Sequence, residues 1–200
     1  MKIEVLGSYG GESDSCRMTC LLFEDSVALD AGSLTKALPV ERQQRVQSIV
    51  LSHSHMDHTT CLPFFIENVF GKLRDAVDIY ASPETIYAVR KHLFNNDVWP
   101  DFTRIPNHLL PALRFHELYD EQPFELGGIR FTPIAVNHLV PTFGFLIEKG
   151  DSALLWSSDT GPTKRLWEIA NQTKNLSQVW LEVSFDNALQ SIADLSKHLT

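Results

Sequence analysis

Four residues able to bind a metal fall within six positions of this chain. They are His53, His55, Asp57 and His58, in the run Ser52-His53-Ser54-His55-Met56-Asp57-His58. The run follows Ser48-Ile49-Val50-Leu51, an apolar stretch with the pattern of a buried strand. Side chains two apart on an extended backbone share a side, so His53 and His55 can converge on one point. Asp57 and His58 follow at once and can face a second. Such spacing suits two cations a short distance apart, each with open positions. Imidazole and carboxylate without thiolate suit zinc, manganese or iron. A solvated loop whose histidines cap helices is the alternative. It accounts for lone histidines better than for four donors packed behind an apolar strand.

A two-metal site needs more donors, and the chain offers them at the ends of predicted elements. His138 follows a predicted strand over Ile129–Val136, Asp159 follows the apolar Ala153-Leu154-Leu155-Trp156, and His198 follows the last predicted helix. Taken singly, each also reads as a structural residue: a loop histidine, a helix cap and a terminal residue. Residues at strand ends suit a site built on a rigid scaffold.

Composition limits what such a site would serve. Twenty-five acidic against 17 basic residues leave a net charge of −8, with no Lys/Arg-rich stretch. Long nucleic acid is an unfavoured partner, because its binding is driven by cationic contacts and counterion release. A small anionic substrate remains compatible, since bound metal can invert the local field. Three cysteines at unrelated positions argue against a disulfide framework, and no apolar run approaches a membrane span or a signal sequence. The expected location is cytoplasmic, with no membrane partner.

Strands are expected at Ile3–Leu6, Thr19–Glu24, Val27–Asp30, Ser48–Ser52, Asp78–Ala81, Pro123–Leu126, Ile129–Val136, Thr142–Glu148, Ala153–Ser158 and Gln178–Val183. Helices are expected after Pro39, over Leu62–Val69, from Ser82 to about Phe94, and over Lys164–Ala170 and Asn187–Leu195. Asn95–Pro111, rich in proline with Trp99 and Phe102, reads as a long ordered loop. Helices between groups of strands predict an α/β protein of two sheets packed face to face, with helices outside. The loop offers either an aromatic platform for a base or a plug over the core.

The series His53-Ser54-His55-Met56-Asp57-His58, His138, Asp159 and His198, with Leu29-Asp30-Ala31-Gly32 earlier, resembles the metallo-β-lactamase superfamily of hydrolases. The resemblance spans essentially the whole chain. It implies a four-layer αβ/βα sandwich in a single hydrolase domain over 1–200, short of the C-terminal sheet and helix that family members usually carry. It further implies two divalent metal ions, zinc first and manganese or iron as alternatives. His53, His55 and His138 would bind one ion, Asp57, His58 and His198 the other, and Asp159 would bridge them. Asp30 would orient a ligand histidine.

Within the superfamily, Leu6-Gly7-Ser8-Tyr9-Gly10-Gly11, Ser157-Ser158-Asp159-Thr160-Gly161, Leu181-Glu182-Val183-Ser184-Phe185 and Ser196-Lys197-His198-Leu199-Thr200 resemble the class II cyclic-nucleotide phosphodiesterases. Thr59-Thr60-Cys61-Leu62-Pro63 departs from that group's small-residue stretch. The resemblance implies opening of cyclic AMP to the 5′-monophosphate by a hydroxide bridging the metals, with Asp57, Asp159 and Glu182 as catalytic candidates. Glu182 is read as a partner of His198 in preference to a proton donor to the leaving group. Trp99, Phe102 and His108 are the candidate substrate contacts, and a homodimer is allowed. The alternatives are a nuclease of the tRNA 3′-processing type and a thioesterase or lactonase. A degenerate binding module is the least favoured, because the ligand series is complete.

Overall fold

The computed structural model describes residues 1–72, 75–107 and 109–200, so the candidate contact His108 lies outside the described residues. They form two compact units, 2–117 and 118–200, the second including Met1.

The first unit is built on a six-stranded sheet. Its elements are β1 (Ile3–Gly7), β2 (Cys20–Phe23), β3 (Val27–Leu29), α1 (Leu34–Ala37), α2 (Val40–Gln43), β4 (Ser48–Val50), α3 (Met56–Thr59), α4 (Leu62–Val69), β5 (Val77–Ala81) and α5 (Pro83–His92). The two-residue β6 (Pro106–Asn107) and β7 (Leu110–Pro111) and then β8 (Leu113–Glu117) complete it. Strand order is β1-β2-β3-β4-β5-β8, with β6 and β7 paired as a separate ribbon. The first three strands run antiparallel, while β3, β4, β5 and β8 are mutually parallel. Parallel neighbours need crossover connections, and these are the segments that carry α1 to α5.

Strand β4 has parallel partners on both sides. Ile49, Val50 and the following Leu51 are fully buried, which is why this stretch is apolar without alternation. Helix α5 shows how sequence sets an element's ends. The Ser82 hydroxyl accepts from Thr85 N–H at 3.1 Å, Pro83 occupies the first turn beside Glu84, and Arg90, Lys91 and His92 close the last turn. These residues satisfy an orphan donor and match the helix dipole at both ends. The core of this unit gathers Leu22, Leu34, Ile49, Leu62, Phe65 and Ile79.

The second unit holds β9 (Phe124–Leu126), β10 (Ile129–Ala135), β11 (Phe143–Lys149), β12 (Ser152–Trp156), α6 (Arg165–Gln172), β13 (Leu176–Trp180), a short 3-10 turn (Asn187–Leu189) and α7 (Gln190–Ser196). Its sheet order is β13-β12-β11-β10-β9. The β9–β10 hairpin turns on Gly127 and Gly128, both with positive φ (56° and 73°), the geometry a two-residue hairpin requires. Helix α6 joins β12 to its parallel neighbour β13. Leu166 and Ala170 on α6 pack on Ile134, Leu146 and Leu155 of the sheet.

Three departures from the sequence expectations have local causes. Strand β13 ends at Trp180, short of Val183. Ser157 N–H still donates to the Trp180 carbonyl at 3.0 Å, but Glu182 N–H turns to the Ser157 hydroxyl instead of a strand. Strand β2 ends at Phe23, short of the expected Glu24, because the β2–β3 turn uses Glu24 and Asp25, both at positive φ. Strand β8 was not anticipated, although Leu113-Arg114-Phe115-His116-Glu117 alternates as a half-buried strand does. Among the described residues no helix is long and apolar enough to cross a membrane.

Candidate metal centre

In the first unit the chain leaves β4 with Leu51, Ser52 and His53 buried, and it re-enters a helix at Met56. His53 precedes α3 and His55 sits on extended backbone, whereas Asp57 and His58 lie within α3. His55 is the residue before that helix, and its carbonyl accepts from His58 N–H at 3.1 Å and from the Thr59 hydroxyl at 2.9 Å. The His53 ring lies 4.7 Å from the His55 ring and 4.1 Å from the His58 ring, centroid to centroid. Three imidazoles this close repel one another if protonated, so neutral rings turned toward metal cations suit the arrangement.

Asp30 organises these rings. It is fully buried just beyond β3, with φ at 59°, a left-handed conformation uncommon for a residue with a side chain. Its Oδ1 accepts from Ser52 N–H at 2.8 Å, and its Oδ2 accepts from the Ser52 hydroxyl at 2.9 Å and from His58 Nδ1 at 2.6 Å. Burial pushes its carboxyl up from the ordinary value, and contacts with His58 and Ser52 act against that rise. Next to it, Gly32 admits no other residue. A Cβ there would lie 1.8 Å from the Asp57 carbonyl and 2.8 Å from the Thr19 carbonyl.

In the second unit His138 follows β10, Asp159 follows β12, and His198 follows α7. His138 Nδ1 bonds to the Lys197 carbonyl at 3.1 Å, and the Lys197 ammonium donates to the His138 carbonyl at 3.2 Å. The His138 and His198 rings lie 4.9 Å apart. Glu182 is the anchor on this side. Its Oε1 meets His198 Nδ1 at 2.9 Å and accepts from Thr160 N–H at 3.1 Å and Leu199 N–H at 3.2 Å, while Oε2 accepts from the Ser184 hydroxyl at 2.9 Å. Glu182 thus touches His198 directly. Ser158 before Asp159 and Lys197 before His198 both have φ of 55°, so sharp backbone turns set the aim of these two donors.

The donor chemistry fits metal ions on each side. Asp57 lies beside His58 and Asp159 beside His138, with ligand atoms of each pair within 4.8 Å, as are those of His53 and His55. His53, His58, His138 and His198 each have Nδ1 against an oxygen: the Ser52 hydroxyl at 2.9 Å, Asp30, the Lys197 carbonyl and Glu182. An Nδ1–H held in this way leaves the lone pair on Nε2, the tautomer a metal requires.

The aromatic loop is different. Phe102 is 3% exposed, with its ring 5.4 Å from Phe70 and 6.4 Å from Phe94. It has no open face on which a base can stack, which corrects its expected substrate role. Its apolar ring gains more from the core. Trp99 is half-buried against the same core, edge-on to Phe64 at 5.5 Å. His116, matched to no site role, stacks on Tyr80 and bonds Asp78 at 2.7 Å. Ser52 and Ser184, which hold the histidine partners, were not singled out from sequence. The signal available was a hydroxyl residue immediately before the first histidine and two residues after Glu182.

Comparison with known proteins places this geometry. The beta-lactamase superfamily domain matches residues 25–198. A probable 3′,5′-cyclic-nucleotide phosphodiesterase of Yersinia pestis is 29% identical over 92% of the chain, which spans 60% of that protein's length. A ribonuclease Z of Metallosphaera sedula is 25% identical over 78% of the chain and 51% of its own. The crystal structure of unliganded yeast PDE1 superposes with a TM-score of 0.79 over 98% of the chain and 78% of its own, at 15% identity, a likeness of fold. The chain belongs to the beta-lactamase superfamily, and its α/β architecture is the metallo-β-lactamase fold.

Proposed function

We propose that this chain is a metal-dependent phosphodiesterase that opens 3′,5′-cyclic nucleotides, cyclic AMP first, to 5′-monophosphates. His53, His55 and His138 would bind one divalent ion, Asp57, His58 and His198 the other, and Asp159 both. Zinc is the first candidate and manganese or iron the alternatives. The observation that carries the metal reading is the set of four histidines whose Nδ1 atoms meet protein oxygens, two of them carboxylates. Rings held like this are preorganised to donate from Nε2 before any ion arrives. When bound, two such ions supply hydroxide at neutral pH and neutralise charge gathering on the phosphoryl oxygens.

The chain's own residues have separate tasks in this scheme. Asp30 holds the His58 ring, and Glu182 holds the His198 ring, so each ligand's aim is fixed from behind. Because Glu182 already accepts from His198 and two backbone N–H groups, its task is orientation in preference to proton delivery. Trp99 and His108 are the remaining candidates of the loop for contact with the base. The substrate class is supported by the Yersinia pestis relative and by the Glu182–Ser184–His198 contacts, which lie within the two segments that resemble phosphodiesterases.

A second reading, a nuclease of the tRNA 3′-processing type, is favoured by the ribonuclease Z relative. The net charge of −8 without a basic stretch counts against a long polyanion. Purified protein loaded with zinc or manganese should convert cyclic AMP to 5′-AMP and leave a precursor tRNA uncut. Cleavage of the tRNA with no turnover of any cyclic nucleotide would transfer the function to the second reading.

A further inference from the structure

We infer that the Ser52 hydroxyl is a positioning group that extends the reach of one buried carboxylate from one histidine to two. Asp30 touches His58 directly, at 2.6 Å, but none of its bonds runs straight to His53. Between Asp30 and His53 stands Ser52, with its Oγ 2.9 Å from Asp30 Oδ2 and 2.9 Å from His53 Nδ1. Ser52 and His53 are both fully buried.

The direction of this relay follows from counting protons. A serine hydroxyl has one hydrogen to give and lone pairs with which to accept. Asp30, ringed by Ser52 N–H, the Ser52 hydroxyl and His58 Nδ1, is an acceptor, so the single Ser52 proton goes to it. Toward His53 the Ser52 oxygen can then only accept, so the hydrogen on that ring sits at Nδ1 and the lone pair at Nε2. Ser52 also lies 3.4 Å from His58 Nδ1, but the shorter bond to Asp30 claims that proton. Its backbone N–H on Oδ1 keeps the carboxylate in register whatever the hydroxyl does. Losing the hydroxyl should therefore release His53 and spare His58, whereas changing Asp30 should disturb both.

This rests on the proposed roles of His53 and His58 as ligands of different ions, so the test has one arm that needs no metal. In metal-free protein labelled with nitrogen-15 at histidine, nitrogen–proton correlation spectra above the histidine titration range report each ring's tautomer. In the wild type both rings should carry hydrogen at Nδ1. In Ser52→Ala, His53 should lose this single tautomer while His58 keeps it, and Ser52→Thr should restore His53. If Ser52→Ala does not fold, Ser52→Cys carries the same comparison, because a thiol is a weak donor and acceptor. The second arm is a metal titration. Ser52→Ala should weaken one of two binding steps about 10- to 100-fold and leave the other in place. An unchanged His53 tautomer in Ser52→Ala would overturn the inference. A changed tautomer with both binding steps intact would uphold the relay and overturn the ligand role of His53 instead.

Discussion

At the residue scale, the site depends on side chains that would not themselves touch metal or substrate. Asp30 holds an unfavourable backbone conformation in a buried position while accepting three hydrogen bonds, and it persists because its neighbours fix it. Asp30→Asn keeps the shape but cannot accept from all three donors in the same sense. Metal affinity should fall about 10- to 100-fold while the protein still folds, measured by metal titration beside a denaturation curve. Unchanged affinity would reduce Asp30 to a turn residue. Gly32 makes a second claim at this scale. Gly32→Ala forces a methyl group to within 1.8 Å of the Asp57 carbonyl, so the first turn of α3 must shift. Overpacking of this kind costs on the order of 1–3 kcal/mol, and the midpoint of urea unfolding should fall accordingly. The candidate ligands stood out in the sequence because donors in a short run are rare. Ser52 and Ser184 were not, because a serine beside a motif has no pattern of its own until the fold brings it to a partner.

At the scale of elements, most strands and long helices could be read from hydrophobic pattern and turn residues. Helix α4 spans Leu62–Val69 as expected, and α5 begins on the cap that Ser82-Pro83-Glu84 announces. What escaped were pieces defined by partners. Strand β8 is a five-residue stretch stabilised by pairing with β5, and β13 stops where the Ser157 hydroxyl captures Glu182 N–H. The β5–β8 pair also carries an ion cluster. Arg114 meets Asp78 at 2.8 and 3.1 Å, and His116 meets it at 2.7 Å. Burial opposes ionisation of Asp78, but Arg114 and His116 outweigh it and hold the carboxyl below its ordinary value. A lowered folded value means stability that is present above the unfolded value of about 3.9 and lost as pH falls through the folded one. Asp78→Asn should therefore be less stable than the wild type at neutral pH, with the gap closing below about pH 4. A gap independent of pH would show that packing, not charge, holds this pair. In the proline-rich loop, Phe102→Ala should cost about 3–5 kcal/mol, the usual loss for an aromatic ring taken from a core. The loss should appear as lowered stability, with cyclic AMP and a simple phosphodiester reporter affected alike; a selective rise in KM for cyclic AMP would return Phe102 to the substrate.

At the scale of the whole molecule, family and fold were legible because the candidate donors are spread over the chain at the ends of strands and helices, within the matched span 25–198. Substrate was not legible to the same degree, since the chain matches both a cyclic-nucleotide phosphodiesterase and a ribonuclease Z over most of its length. The central claim is that seven side chains on this one chain hold two metal ions. The direct measurement is metal content per chain by elemental analysis, for protein saturated with zinc and freed of excess, beside Asp159→Ala treated identically. The account predicts about two ions per wild-type chain and a clear drop in the variant, which loses the shared carboxylate. A folded wild-type protein that retains no metal, or a variant that retains as much as the wild type, would contradict it.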